Sequence, residues 1–349
     1  MDDYTTLTLK GNHYAMGWQH GHQVGALRPW ISQVIEARFR QIERDGADER
    51  FERLVRETRE VLQEFSAPLL DMIRGQADAL QFEYETLLRY DLVTYLHTEL
   101  VSREKPDVEG CTTWAATGSA TADGQPILAK NRDYSVDYLR LQVVIDATPK
   151  SGYRYVCSGS AGCPGIFCAG INEMGLAVAD THVCSPDLGP GLPDYALMMH
   201  ILEEHDSVSA ALDYLRSVPR MGRNNLILAD SQGHLAVFEI GHRRYGLFES
   251  DDGTLVNTNH FVSPELRDCC KDIGRTHERF EKATNELEGA FGQVDVPFAK
   301  RLMATHAGPA SICNHPGTIS ASIFLPSKQT MLFCHGLPCQ GHYDEFVLD

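Results

Sequence analysis

The chain has 349 residues, 43% of them hydrophobic and 23% charged, which suits one large globular domain or two ordinary ones. Its formal net charge is -17, with acidic residues spread along the length, so its surface repels nucleic-acid phosphates and anionic membranes, and neither is expected as a partner. No apolar run approaches the roughly 18 residues that a membrane span needs. The start, MDDYTTLTLKGNHYAMGW, lacks the basic and apolar regions of a secretory signal, so a cytoplasmic location is expected.

Residues 5–110 read as mostly helical. Between Tyr14 and Arg44 the apolar positions Met16, Val24, Leu27, Ile31, Val34, Ile35, Phe39 and Ile42 recur at helical spacing, and Pro29 is placed to kink or split the stretch. Residues 48–65 form a charged amphipathic helix. Residues 67–101 give one or two more, with Leu69, Leu70, Ile73, Ala77 and Leu80 on one face. Pro106 and Gly110 then punctuate the chain, and after Gly110 the apolar period becomes two. CTTWAAT and QPILAKNRDY form a hairpin with its turn near Asp123-Gly124. LQVVIDATP, YRYVCSG, GIFCAGI and LAVADTHV continue as strands, and residues 192–218 return to helix. NNLILAD and LAVFEI make a second hairpin, and TLVNTNHF is a further strand. Helices are expected over 264–291 and 296–304, with SASIFLP and TMLFCHG as a closing hairpin. Such segregated runs favour an α+β fold over a parallel βαβ sheet. No glycine-rich phosphate loop follows a strand, and no cofactor is expected.

Ten cysteines in a chain without a signal read as reduced, small buried hydrophobes. The Cys269-Cys270 pair and the Cys163/Cys168 spacing do not suit zinc. His20 and His22, two apart, do not share a helix face, and His200 and His205, five apart, miss the spacing of helical zinc sites. No metal is expected. Cys111 differs by its context. It follows Gly110 and begins a strand at Thr112-Thr113. If the Gly110-Cys111 bond were cut, an α-amine with a pKa of about 7.7–8.0 would stand beside the thiol and serve as its base. Gly110 would leave the scissile carbonyl accessible.

Seven stretches extend this pattern over nearly the whole chain: GNHYAMGWQHG at 11–21, GCTTW at 110–114, DGQPILAKNRDY at 123–134, GINEMGLAVA at 170–179, NNLILADSQGH at 224–234, NTNHF at 257–261 and SICNHP at 311–316. In these the sequence resembles the isopenicillin N acyltransferase family, acyl-CoA:6-aminopenicillanate acyltransferases of the N-terminal-nucleophile hydrolase superfamily, which are related to choloylglycine hydrolases and acid ceramidase. The resemblance implies a four-layer αββα sandwich, with residues 1–110 as a helical small chain and 111–349 as a large chain, together one globular unit. It implies self-cleavage at Gly110-Cys111 and attack by Cys111 on a small-molecule amide or acyl thioester. Asp133 matches the aspartate that contacts the new amine. Asn259 matches the asparagine whose amide donates to the oxyanion, and His182 falls where relatives supply a second, main-chain donor. Lys130 aligns near a basic residue of choloylglycine hydrolases, and Asn131 and Thr112 flank the site as supporting positions. Asn314 departs from the pattern, since many relatives carry an arginine there; Lys130, His306 or His315 are the candidates to replace that cation.

Plainer readings stand beside these. Asp133 would simply end a strand, Asn259 would cap a helix near Pro264, although Ser263 suits that better, and His182 would be an ordinary core histidine. Two other functions compete: an uncut thiol hydrolase pairing Cys111 with His260 or His315, and a non-catalytic binding protein on the same fold. The pocket walls are expected from helices before Cys111 and loops after 134, 184 and 261. The sequence leaves the acyl group, the amine and the oligomeric state open, and a homo-oligomer is compatible with it.

Overall fold

The computed structural model describes residues 4–44, 48–93, 110–272, 275–306 and 308–348. Its helices are α1 (His13–Gln23), α2 (Arg28–Arg44), α3 (Asp48–Phe65), α4 (Ala67–Leu80), α5 (84–93), α6 (Asp194–Glu204), α7 (Val208–Ser217), α8 (Thr276–Gly289) and α9 (Val296–Met303). Its strands are β1 (Thr5–Gly11), β2 (Thr112–Thr117), β3 (Ile127–Asp133), β4 (Gln142–Pro149), β5 (Tyr155–Ser160), β6 (Ala169–Asn172) and β7 (Ala177–His182), then β8 (Asn224–Ala229), β9 (Leu235–Ile240), β10 (Tyr245–Ser250), β11 (Gly253–Asn257), β12 (Thr318–Leu325), β13 (Thr330–His335) and β14 (Asp344–Val347). The expected helical residues 94–101 and the break at Pro106 lie outside the described residues.

Two sheets result. One has the order β1-β4-β5-β6-β7-β8-β9-β10, the other β11-β2-β3-β12-β13-β14. Both are antiparallel except where β1 joins β4 in parallel. Alternation along each strand sorts the side chains into three apolar layers. Val144, Ala179 and Ile227 of the larger sheet meet Ala115, Leu128 and Phe333 of the smaller one. Val143, Ile145 and Phe238 face the other way, into the helices from α1 to α7. Trp114, Ala129 and Ile323 pack against Leu287 of α8 and Phe298 of α9. Helices on both outer faces of two stacked sheets make the expected αββα sandwich. Among the described residues no helix is long and apolar enough to cross a membrane.

Three differences from the sequence reading have physical causes. Residues 5–11 are a strand, not helix: Leu7 and Leu9 alternate with threonines and bury one face. The helix expected over 264–291 begins only at Thr276; a loop with a 3-10 turn at Arg267–Cys269 precedes it. Strands β10 and β14 sit at sheet edges and are half exposed, so their apolar alternation is faint. Pro29 stands at the start of α2, where its missing N–H costs nothing, and the chain is split there from α1.

Helices α1 and α4 cross closely through two glycines. A Cβ at Gly17 would overlap the Met72 carbonyl, and one at Gly75 the Tyr14 carbonyl. Gly17→Ala and Gly75→Ala should each cost about 1–3 kcal/mol in urea denaturation. Gly25→Ala, with open space at its Cβ, should be near neutral; equal midpoints for all three chains would refute the close crossing.

Candidate active site

β2 and β3 lie side by side in the smaller sheet, with Thr112 opposite Asn131. That register sets Cys111, one residue before β2, beside the end of β3. The Cys111 thiol lies 3.8 Å from the Asp133 carbonyl oxygen, and both residues are buried. Gly110 is buried as well. Cys111, Lys130, Asp133, His182 and Asn259 all line one cavity of about 90 Å³, so the fold gathers the main residues singled out in the sequence.

The cavity's other walls are aromatic and acidic. Tyr90 and Asp91 come from α5, Tyr134 and Tyr138 from the segment after β3, and Asp194 and Tyr195 from the start of α6. The expected walls from a helix before Cys111 and from the loop after 134 are therefore present; beyond 184 the wall comes from α6 rather than a loop, and the stretch after 261 contributes no lining residue among those described. Asp91 is buried, and among the described residues neither of its carboxylate oxygens has a hydrogen-bond partner. Burial holds its pKa well above the ordinary carboxylate value and so favours its neutral form.

Asp133 Oδ1 accepts a 2.6 Å bond from the Thr318 hydroxyl, while its buried Oδ2 accepts no well-formed hydrogen bond among the described residues. Burial pushes its carboxyl up to about 7, against the opposing pull of Arg279, Thr318 and Asn314. Asn314 is thus among the groups that favour the Asp133 charge, although it brings no cation of its own.

Besides Lys130, a second cation, Arg279, supports this site, and the sequence reading missed it. It lies one turn into α8 and is buried. Its Nη1 donates to the Cys111 carbonyl and, at 2.9 Å, to the Thr112 hydroxyl; its Nη2 donates to Asn259 Oδ1 at 2.7 Å. Since a guanidinium only donates, the Asn259 amide orientation is fixed by this contact. Asn259 Nδ2 then gives one hydrogen to the His182 carbonyl at 2.8 Å, and the residue lines the cavity. Asn259 N donates to Thr276 Oγ1, so Asn259 is tied to the first turn of α8 rather than capping a helix near Pro264. The helical spacing of Arg279 gave no hint, because an arginine on a charged helix usually faces solvent.

Other candidates take different places. The Lys130 ammonium is buried and pairs with Asp180; it also donates to the Asp180 carbonyl at 2.7 Å and the Cys168 carbonyl at 3.2 Å. Burial opposes its charge, but Asp180 more than offsets this and its pKa is raised. Asn131 donates to the Met303 and Ile312 carbonyls at 2.9 and 2.8 Å, which fastens α9 and the following loop to β3. The His182 ring is pushed down to about 3 by burial and Arg223, so it is neutral. His260 bonds Thr276 Oγ1 at 2.8 Å and is lowered to about 4 by burial and His277. Among the described residues no imidazole hydrogen-bonds the Cys111 thiol, so a thiol-histidine pair has no geometry to support it. Burial raises the Cys111 thiol to about 12, with Lys130 pulling the other way, and the resting group is a neutral thiol.

His306, Cys313, His315 and Cys339 converge elsewhere, from loops rather than from the helical pairs considered in the sequence. The two residues of Cys313-x-His315 were the only local signal, and Cys339 is joined to them by the fold alone.

A model of the family described as acyl-coenzyme A:6-aminopenicillanic acid acyl-transferase matches residues 119–340, nearly two thirds of the chain. The matched span holds Asp133, Asn259, Arg279 and Asn314 and begins after Cys111. No curated protein sequence matches the chain. Among solved structures, an N-acylethanolamine-hydrolyzing acid amidase ortholog of Caenorhabditis elegans is 16% identical, with 68% of this chain and all of that one covered at a TM-score of 0.48. Penicillin V acylase from Agrobacterium tumefaciens is 16% identical, covering 68% of this chain and 86% of that one at 0.47. A mutant of the conjugated bile acid hydrolase from Clostridium perfringens is 14% identical, covering 68% and 97% at 0.45.

The Asp133 geometry has a measurable consequence. Its pKa rises from 3.8 unfolded to about 7 folded, so folding binds a proton between these values. Stability from this group is therefore lost as pH rises from about 4 to 7. With Cys111→Ala fixed in both chains, Asp133→Asn should gain stability over Asp133 between pH 5 and pH 8, by roughly 1–4 kcal/mol. Parallel stability curves would show that the carboxyl is not perturbed.

Proposed function

The chain belongs to the acyl-coenzyme A:6-aminopenicillanic acid acyl-transferase family, and from that premise we propose that it is a self-processing amidohydrolase with Cys111 as an N-terminal nucleophile. The observation that carries this reading is the unmatched Asp133 Oδ2, buried beside Cys111 with no well-formed hydrogen bond among the described residues. The α-amine released by cleavage at Gly110-Cys111 would meet that oxygen, which would stabilise the ammonium it becomes on taking a proton. The α-amine takes the thiol proton as sulfur attacks the substrate carbonyl, and the amine leaving group carries that proton away. A thioester on Cys111 remains, and water releases the acid while restoring the thiol. The second Asn259 N–H supports the oxyanion, a contact of the kind worth about 2.7–4 kcal/mol in catalysis. A neutral thiol with no imidazole hydrogen-bonded to it among the described residues needs such an internal base. Hydrolysis is the reading preferred over acyl transfer, because water is always available as acceptor.

Intact mass under denaturing conditions tests the first step. Wild type should break between Gly110 and Cys111 while Cys111→Ala stays whole. A wild-type chain that remains uncut yet hydrolyses amides would overturn the internal-base mechanism.

The unmatched Asp91 acid supports a substrate that carries a protonated amine, which would ionise the acid and be held among Tyr90, Tyr138, Phe167 and Tyr195. Charged hydrogen bonds of this kind are worth about 1.5–3 kcal/mol. Wild type should favour amine-bearing anilides over isosteric neutral ones by roughly ten- to hundredfold in kcat/KM, and Asp91→Asn should erase the preference. An unchanged ratio in the variant would remove Asp91 from recognition.

A further inference from the structure

His306 follows α9, Cys313 and His315 lie on the loop into β12, and Cys339 lies on the turn after β13. Each offers one ligand atom, and the four atoms lie within 4.8 Å of one another. His315 Nε2 is 3.3 Å from the Cys339 sulfur, and the His306 and His315 rings meet edge to face with centroids 4.5 Å apart. Cys313 is fully buried at the floor of the group, while both histidines reach solvent. None of the four lines the cavity at Cys111.

Two thiolates and two imidazoles form a donor set of structural zinc. Tetrahedral bonds of about 2.3 Å to sulfur and 2.0–2.1 Å to nitrogen put ligand atoms roughly 3.3–3.8 Å apart. The observed spacing needs at most about 1–1.5 Å of closure, within reach of side chains at a partly exposed site. Two thiolates also balance the ion's charge. We propose that His306, Cys313, His315 and Cys339 hold one zinc ion, which fastens the loop before β12 to the turn after β13. Binding would displace one proton from each thiol, and no redox partner is required.

The loop so fastened reaches the active site. Asn314 stands between two of the ligands, and its N–H donates to Thr318 Oγ1 at 2.8 Å. The same Thr318 hydroxyl donates to Asp133 at 2.6 Å. Ile312, just ahead of Cys313, gives its carbonyl to Asn131. The metal would be structural and would support Asp133 from behind, through protein groups alone.

Elemental analysis of the untagged full chain, purified without chelator, tests the site with no reference to activity. About one zinc per chain is expected, falling at least tenfold in Cys313→Ser/Cys339→Ser. To separate metal loss from misfolding of that variant, the wild type should also be stripped, reduced and reloaded with cobalt. Tetrahedral thiolate-bound cobalt has a strong visible absorption, which should appear in wild type and weaken in His315→Asn. A reduced chain that takes up neither zinc nor cobalt would overturn the proposal. So would a Cys313-Cys339 disulfide that persists in the purified chain with no metal uptake after reduction.

Discussion

Arg279 is buried, and a guanidinium cannot shed its charge, so its donors must find acceptors inside the protein. They find the Cys111 carbonyl, the Thr112 hydroxyl and the Asn259 amide oxygen. One rigid fork thereby fixes the backbone at the thiol and the direction of the amide across from it. The geometry follows from where α8 starts. Thr276 opens that helix and receives the Asn259 N–H, and Arg279 follows one turn later. A shift of α8 by one residue would turn the guanidinium about 100° around the helix axis and away from the strand.

Several other charges share this end of the sandwich, and they are arranged in compensated sets. Lys130 and Asp180 neutralise each other between the sheets, with two backbone carbonyls completing the ammonium's shell. His182 avoids the cost by staying neutral. Asp133 and Asp91 are exceptions, since one oxygen of the first and both of the second lack a matched donor among the described residues. Burying an incompletely satisfied carboxylate is unfavourable, and such local deficits concentrate where proteins bind or react. The apolar layers on either side supply the stability that tolerates it.

The α+β class and the two central hairpins were legible because period-two runs are local properties; the gathering of Cys111, Asp133 and Asn259 was implied by the family resemblance. The β2–β3 hairpin brings Cys111 to Asp133 through nearby sequence, so a reader of the chain can follow it. Arg279 was not legible. Its role depends on the α8 register against β2, where its partner Thr112 is 167 residues away, and its sequence surroundings, THERFEK, resemble any charged surface helix. Of the cations named to stand in for an arginine at 314, Lys130 lines the cavity and favours ionisation of Cys111 and Asp133, while His306 and His315 lie elsewhere; Arg279 adds a cation from another element that the sequence did not reveal. The His/Cys group likewise depends on Cys339 meeting Cys313 across β12 and β13. Strand β1 was overlooked although its Leu-Thr alternation is plain, because the long helical pattern that follows it dominated the window.

Strand β1 also decides how the two sides of Gly110 are joined. It belongs to residues before that bond, yet it is the edge strand of a sheet otherwise built from residues after it, paired with β4 over the full run from Thr5 to Gly11. An uncut chain brings these strands together by loop closure, at a rate independent of concentration. Were the bond broken as proposed, the same ladder would be a contact between two molecules. Refolding would then be second order, and a form that was assembled without effort as one chain would reassemble only as fast as its halves collide.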